Sequence, residues 1–259
     1  MDMGKLAGKN AIVTGGSSGI GRAIAMALAT EGANVAIGDL SESPREGGAR
    51  TADEIVKMGS KSFFVQTDVS KEGDVEKLVS AAISKFGNLD IMVNNAGITV
   101  IKSALETTGD EFLRVLEVNV KGAFLGSKYA LKHMVSRKSG KIINLASNFS
   151  FTALGNISAY VTSKTAVLGL TKALAVEFAP FGININAIAP GATKTEFTRP
   201  FWGNSEGLNE LAQRTPFRKN GEFLVKPGDI GRTAVFLASE DSDMMTGTSI
   251  LVDGGWNAW

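Results

Sequence analysis

The sequence predicts an α/β fold with a doubly wound parallel sheet of seven strands, flanked by helices on both faces. Two observations predict it. Short β-branched runs alternate with longer helical patterns along nearly all of the 259 residues, which is typical of βαβ units and a parallel sheet. The runs are also continuously apolar, as strands covered on both faces are. The length fits one domain over 1–259.

The elements follow in order along the chain. The first strand, 11–14, is a buried apolar run, and 20–31 is an Ala-, Ile- and Leu-rich helix. In 74–86, Val75, Leu78, Val79 and Ala82 share one helix face. The remaining strands are expected at 33–39, 62–67, 89–93, 141–145, 184–188 and 249–252. The remaining helices are expected at 46–58, about 108–136, 158–178 and 229–238.

Two segments interrupt this alternation. Residues 41–48 (SESPREGG) form a loop after the second strand. Residues 196–228 contain Pro200, Pro216 and Pro227 together with five aromatic side chains. Long loops in small domains are often functional, and an aromatic-rich one is expected to close over a ligand. We therefore predict a substrate lid at 196–228, with a flexible insertion as the alternative.

The composition excludes several classes of function. There is no cysteine, so disulfides, thiolate nucleophiles and Cys-ligated metals are excluded, and a single histidine leaves no basis for a metal site. The net charge of +1 gives no basic surface for nucleic acid. No apolar run reaches membrane-spanning length, and the first residues lack the pattern of a signal peptide. We expect a cytoplasmic protein without nucleic-acid or membrane partners.

A glycine-rich turn connects the first strand to the first helix. Residues 14–21 read TGGSSGIG. Glycines at this junction allow the backbone to approach a pyrophosphate, whose charge is favoured by the amides and dipole of a helix N-terminus. The turn predicts a dinucleotide site. The residues expected to contact it are Gly15, Ser17, Ser18, Gly19, Ile20 and Gly21.

Asp39, at the end of the second strand, indicates which dinucleotide binds. Its carboxylate can accept hydrogen bonds from the adenosine ribose and would repel a 2′-phosphate. Leu40 follows it, and the glycine turn contains no Lys or Arg. These features favour NAD over NADP. Arg45 in the nearby loop counts against this preference, because its side chain can reach a 2′-phosphate. The alternative interpretation of Asp39 is a turn residue with no role in cofactor binding.

Three further residues suggest acid–base chemistry. Tyr160 and Lys164 are spaced i and i+4, on one helix face. A nearby ammonium favours the phenolate, so the phenol can exchange a proton with a substrate alcohol. Ser147 follows the fifth strand, at the sheet edge where parallel α/β folds bind ligands. Its hydroxyl can hold a carbonyl oxygen on which charge develops.

In order and spacing, these motifs resemble the short-chain dehydrogenase/reductase family, a Rossmann-type fold. The resemblance extends from Lys9 to Gly255. Its motifs are the turn at 14–21, Asp68 with Val69, the NNAG segment at 94–97, Asn119, Ser147, Tyr160, Lys164, Pro190 with Gly191, and VDGG at 252–255. It implies an enzyme acting on CH–OH donors, with hydride passing between nicotinamide C4 and the carbinol carbon, and a homotetrameric assembly.

The resemblance also implies a role for each matching position. The catalytic residues would be Asn119, Ser147, Tyr160 and Lys164: Ser147 orients the substrate, Tyr160 is the acid/base, Lys164 contacts the nicotinamide ribose and lowers the Tyr160 pKa, and Asn119 holds a proton-relaying water. Asp68 and Val69 would contact adenine, and Asn95, Ala96 and Gly97 would line the ribose. Pro190, Gly191, Thr193 and Thr195 would hold the nicotinamide carboxamide.

The substrate is less well determined by the sequence. Ser147, Phe149, Tyr160 and Trp202 are expected to contact it, with Phe151, Thr152 and Leu154 as further pocket residues. A sugar, a sugar acid, a hydroxy acid and a cyclic ketone all remain open. The alternatives to an NAD(H)-dependent alcohol/ketone oxidoreductase are an NADP-dependent carbonyl or 3-oxoacyl-type reductase and a non-catalytic dinucleotide sensor.

Overall fold

Seven strands within residues 4–258, the part of the chain that the computed structural model describes, pair in parallel to form one sheet. They are β1 (Asn10–Thr14), β2 (Asn34–Asp39), β3 (Ser62–Gln66), β4 (Ile91–Asn94), β5 (Gly140–Leu145), β6 (Ile183–Pro190) and β7 (Ser249–Val252). Their order is β3-β2-β1-β4-β5-β6-β7. The predicted doubly wound sheet is thus confirmed, and the chain reverses its winding between β1 and β4.

Helices cover both faces of this sheet. They are α1 (Gly19–Thr30), α2 (Thr51–Lys57), α3 (Glu72–Phe86), α4 (Gly109–Leu116), α5 (Gly122–Arg137), α6 (Ser158–Phe178), α7 (Arg199–Trp202), α8 (Ser205–Arg214) and α9 (Pro227–Ala238). Side chains that alternate along one strand enter different cores. Val13 packs in the core with α1 and α9, whereas Ile12 packs in the core with α3 and α5. This two-sided burial explains why the strands are continuously apolar.

A chain of buried polar side chains crosses the central sheet. The Asn94 amide donates to Asn144 Oδ1 at 2.9 Å and to Ser127 Oγ at 3.0 Å. Asn144 donates in turn to Thr171 Oγ1 at 3.0 Å. These four residues tie β4 and β5 to α5 and α6. Because buried polar groups are stable only when they are hydrogen-bonded, the chain fixes how these elements meet beneath the sheet edge.

The predicted helix at 46–58 is wrong in its first turn. The loop after β2 continues to Arg50, and α2 begins at Thr51. Gly47 and Gly48 have φ angles of +79° and +89°, which lie outside the right-handed helical region. The apolar spacing therefore predicts a helix correctly only for the second half of the segment.

The predicted helix at 108–136 is interrupted in its middle. A π-helical segment, Glu117–Lys121, separates α4 from α5. One residue is accommodated in a wider turn there, a feature that often occurs at functional sites. The segment contains Asn119, one of the predicted catalytic residues.

Residues 196–228 are partly helical. The segment contains α7 and α8, and Val225 pairs with Thr193 in an isolated bridge. The last helix begins at Pro227, two residues before the predicted start, with proline in the first turn where it costs no hydrogen bond. Within residues 4–258, no helix combines the length and apolar character needed to cross a membrane.

Candidate active site

One continuous cavity lies at the carboxyl ends of the strands, where the segments that follow the neighbouring strands β1 and β4 diverge. In doubly wound sheets this reversal leaves a crevice for a ligand. Segments that follow β1 to β6 line it, together with α6, the segment 195–202 and Trp256. Of the predicted site and pocket residues, the structure brings all to its surface except Ser17, Asn119, Phe151 and Thr152.

The glycine turn forms one end of the cavity. A Cβ atom on Gly21 would lie 2.0 Å from the Gly15 carbonyl oxygen and 2.4 Å from Asn95 Nδ2, so only glycine fits there. The Asn95 amide donates to the carbonyls of Thr14 and Gly15, at 2.8 and 3.1 Å. The segment after β4 thereby fixes the turn that opens α1.

Asp39 lies beside this turn. One of its carboxylate oxygens accepts from the Ser17 amide at 3.0 Å, and the other accepts from the Leu40 amide at 2.8 Å. Both Asp39 and Leu40 line the cavity. Ser17 is buried away from it, and its hydroxyl has no hydrogen-bond partner. The Ser17 side chain therefore does not line the cavity. The residue contributes through its backbone amide, which donates to Asp39.

Asp68 and Val69 line the same end. Asp68 accepts from the amide and hydroxyl of Ser70, at 3.0 and 2.7 Å. Burial works to raise the pKa of Asp68, but the Ser70 hydrogen bonds and nearby Arg114 outweigh it and hold the pKa below its usual value. Asp68 is therefore a carboxylate at neutral pH.

Ser147, Tyr160 and Lys164 meet at the middle of the cavity. Lys164 is almost fully buried, and its Nζ donates to the Leu145 carbonyl at the end of β5, at 2.6 Å. The same Nζ lies 5.8 Å from the centre of the Tyr160 ring. The spacing of one helical turn on α6 thus delivers an ammonium beside the phenol, as the sequence predicts.

Burial shifts both titrating groups toward their neutral forms. It raises the pKa of Tyr160 to about 12, against the opposing effect of its hydrogen bond with Ser147. It lowers the pKa of Lys164 to about 8. Both shifts are those expected when charge is removed from water. At pH 7 the phenol therefore carries its proton and the amine is largely protonated.

Asn119 lies behind the cavity wall rather than on it. Its Nδ2 donates to the Ile98 carbonyl and to Ser163 Oγ, both at 2.9 Å, and its Oδ1 accepts from the Ile98 amide at 2.8 Å. These bonds tie the π-helical segment to α6 and to the chain after β4. In this structure the Asn119 side chain positions the neighbours of Tyr160 and Lys164.

The chain after β6 forms the wall opposite Tyr160. Thr193 is buried and donates to the Gly191 carbonyl at 2.9 Å, and Thr195 hydrogen-bonds Thr198. The residues of this segment that line the cavity and were predicted to do so are Pro190, Gly191, Thr193 and Thr195.

Aromatic side chains surround the remaining end. Phe149 and Trp202 line it as predicted, as does Leu154, but the side chains of Phe151 and Thr152 do not, and Phe151 is half exposed. Sequence reasoning assigned Trp256 no place here. Its ring nevertheless meets Phe149 edge-on, with centroids 5.7 Å apart. The only sequence signal for it was an aromatic residue directly after a glycine pair.

Comparisons with known proteins identify the family of this chain. A family model described as enoyl-(acyl carrier protein) reductase matches residues 15–257. An uncharacterised oxidoreductase from Thermotoga maritima is 39% identical over 251 residues, covering 97% of this chain and 98% of the relative. The chain belongs to the short-chain dehydrogenase/reductase family. It is therefore an oxidoreductase with the fold that its motifs predict.

Two further members of the family resemble it over their whole length. The 2-(R)-hydroxypropyl-CoM dehydrogenase of Xanthobacter autotrophicus is 40% identical over 256 residues, covering 96% of this chain and 98% of the relative. A crystal structure of a short-chain type dehydrogenase/reductase from Mycobacterium marinum is 34% identical and covers 100% of this chain and 99% of that one, with a TM-score of 0.88.

Proposed function

We propose that this short-chain dehydrogenase/reductase interconverts a secondary alcohol and a ketone, with NAD(H) as cofactor and Tyr160 as the acid/base. One observation carries the proposal. Ser147, Tyr160 and Lys164 line the same continuous cavity as the glycine turn and Asp39. A cofactor bound at the glycine turn would thus reach the same cavity as a substrate held beside Tyr160.

The residues that line the cavity support a dinucleotide as the cofactor. Its glycine turn has no room for a side chain at Gly21, which leaves backbone amides for a pyrophosphate. Asp39 and Asp68 would hold the adenosine, and Thr193 and Thr195 would hold the nicotinamide. When bound, the nicotinamide ring supplies the hydride donor or acceptor of the reaction.

The protein supplies the proton. Because burial raises the pKa of Tyr160 to about 12, its phenol carries a proton at pH 7 that it can give to a ketone oxygen. In the direction of alcohol oxidation it must accept one, and the Lys164 ammonium, 5.8 Å from the ring centre, favours the phenolate that would do so. Ser147 Oγ would hold the reacting oxygen and Asn119 would hold α6 in register.

Two alternatives compete with this proposal. An NADP-dependent carbonyl or 3-oxoacyl-type reductase is favoured by Arg45, which lines the cavity near Asp39, and by the description of the matching family model. A non-catalytic dinucleotide sensor would need no proton donor, yet Tyr160 and Lys164 are both in place.

Assembly as a homotetramer is also proposed. Leu113 on α4 is 57% exposed, and Phe124 on α5 is 43% exposed. Both side chains would be covered by contacts between copies of the chain. Sedimentation or light scattering would measure the state directly.

The first test is a titration with NADH and with NADPH, followed by energy transfer from tryptophan, since Trp202 and Trp256 line the cavity. We expect NADH to bind more tightly. Turnover is then measured for the wild type and Tyr160→Phe on a panel of alcohols and ketones. The variant should keep its NADH affinity and lose about 10²- to 10⁴-fold in rate. Equal rates in both proteins would refute the role of Tyr160, and NADH binding without any turnover would favour the sensor.

A further inference from the structure

We infer that the substrate is an uncharged, compact ketone or secondary alcohol with an apolar body, such as a ring. The inference rests on the proposed function and narrows its substrate class. It follows from the side chains that surround Tyr160 on the side away from the glycine turn, and from the position of every cation near them.

Most of the wall beyond Tyr160 is apolar, although Asn148 also lines the cavity and its Nδ2 has no hydrogen-bond partner. The Phe197 ring lies 6.2 Å from the Tyr160 ring, and Phe149 meets Trp256 edge-on. The indole N–H of Trp202 donates to the Thr195 carbonyl at 3.3 Å and to Thr198 Oγ1 at 3.1 Å. This N–H is therefore already used and does not donate to a substrate. The side chains that form this wall are Phe149, Leu154, Phe197, Phe201, Trp202, Leu211 and Trp256.

The arginines of the segment 196–228 are held outside the cavity. Arg199 pairs with Glu196 at 3.2 Å, and Arg214 pairs with Glu210 at 3.6 Å while its guanidinium covers the Trp256 ring. Arg218 donates to backbone carbonyls, including that of Phe217 at 3.1 Å. The ammonium of Lys194 lies over the Trp202 ring, 5.8 Å from its centre. Neither Lys194 nor any of these arginines lines the cavity.

Among the described residues, the cations that do line the cavity are Arg45, Arg114 and Lys164. Arg45 lies in the loop after β2, where its amide donates to Ser18 Oγ. Arg114 lies beside Asp68 at 3.5 Å, also at the adenosine end. Lys164 lies beside Tyr160 at the middle of the cavity. Of the residues that the structure describes, none therefore places a cation in the lining of the aromatic end to pair with a substrate anion.

An anionic substrate would place an unpaired charge against this wall. Burying a charge without a partner is costly, and the charged group that the lid contributes to the cavity is itself an acid, Glu196. A carboxylate, a sulfonate or the phosphate of an acyl carrier is therefore disfavoured.

The test uses ketones matched in shape and different in charge. Methyl 4-oxocyclohexanecarboxylate is compared with 4-oxocyclohexanecarboxylate, methyl 4-acetylbenzoate with 4-acetylbenzoate, and methyl acetoacetate with acetoacetate, each with NADH at pH 7. We expect kcat/KM for the ester to exceed that for the acid by about 100-fold or more in the pairs that react. An acid used as well as its ester would overturn the inference.

A variant that introduces a charge makes the test independent of substrate fit. Leu154→Arg places a cation in the wall and should lower the ester-to-acid ratio of kcat/KM by about 10-fold or more. Leu154→Gln, which adds a polar but uncharged side chain, should leave the ester-to-acid ratio of kcat/KM at the wild-type value. If Gln and Arg change the ratio equally, charge does not select the substrate. If no compound of either class reacts although NADH binds, the proposed function itself fails, and the inference falls with it.

Discussion

The carboxylate of Glu46 accepts a hydrogen bond from the backbone amide of Gly19, at 3.0 Å. Gly19 is the first residue of α1, and its amide is one of the donors that a cofactor pyrophosphate would use. An acidic side chain therefore occupies the positive end of this helix. A second contact, from the Arg45 amide to Ser18 Oγ at 2.8 Å, holds the same loop against the turn.

This contact predicts that Glu46 competes with the cofactor. Glu46→Gln removes the charge that must be displaced, so we expect NADH to bind about 2- to 10-fold more tightly, the value of one net hydrogen bond. Glu42→Gln is the matched control, because Glu42 lies in the same loop but pairs with Arg50 at 2.8 Å. Calorimetric titration with NADH measures the affinity of both variants. Equal affinities in the two variants would show that general loop charge, rather than the Gly19 contact, is responsible.

Asp39 is predicted to set the cofactor preference. The double variant Asp39→Ser, Leu40→Arg removes the carboxylate that would repel a 2′-phosphate. It also adds a cation at position 40, which is exposed. We expect the NADPH-to-NADH affinity ratio to rise by about 10-fold or more. Because Asp39 also accepts from the Ser17 and Leu40 amides, Asp39→Asn is measured alongside it as the nearly isosteric control. An unchanged ratio in the double variant would refute the assignment of Asp39.

Gly21 is predicted to tolerate no side chain. A Cβ atom there would lie 2.0 Å from the Gly15 carbonyl oxygen, so Gly21→Ala must move the turn. We expect a loss of about 2 kcal/mol or more in the free energy of unfolding and severely weakened NADH binding. Gly73→Ala in α3 is the control, because its Cβ meets nothing within 4 Å; it should be neutral or stabilise by up to about 1 kcal/mol. Denaturant titration measures both, and similar effects would contradict the prediction.

Lys164 is predicted to make the stability of the cofactor-free protein depend on pH. Burial lowers its pKa from 10.5 to about 8, so between these values the unfolded chain binds a proton that the folded protein does not. The free energy of unfolding therefore rises with pH through this window, by up to about 3 kcal/mol. The raised pKa of Tyr160 gives the opposite slope only above pH 10.

The check on Lys164 is a comparison with Lys164→Met. Denaturant unfolding of both proteins is measured between pH 7.5 and 10 at one fixed protein concentration, since assembly would add a concentration-dependent contribution. The wild type should gain stability relative to the variant as pH rises above 8. A constant difference across the window would mean that Lys164 titrates at its ordinary pKa.

The limits of sequence reasoning are clearest where local pattern and backbone geometry disagree. Apolar spacing suggested a helix from Glu46, but Gly47 and Gly48 adopt positive φ angles and the helix begins at Thr51. The same spacing suggested one uninterrupted helix around Asn119, where the structure has a π-helical segment. A periodic pattern of apolar residues shows which face of a segment is buried. One additional residue in a helical turn changes that pattern very little.

The sequence by itself determined the parallel sheet, the glycine turn and the pairing of Tyr160 with Lys164, because each depends on residues close together in the chain. Only the tertiary structure decided that Trp256 packs on Phe149, that Glu46 reaches Gly19, and that the arginines of the segment 196–228 face away from the cavity. The contacts of Trp256 with Phe149 and of Glu46 with Gly19 join residues far apart in the sequence. They are fixed by strand order and by the packing of helices on the sheet, which no local pattern encodes.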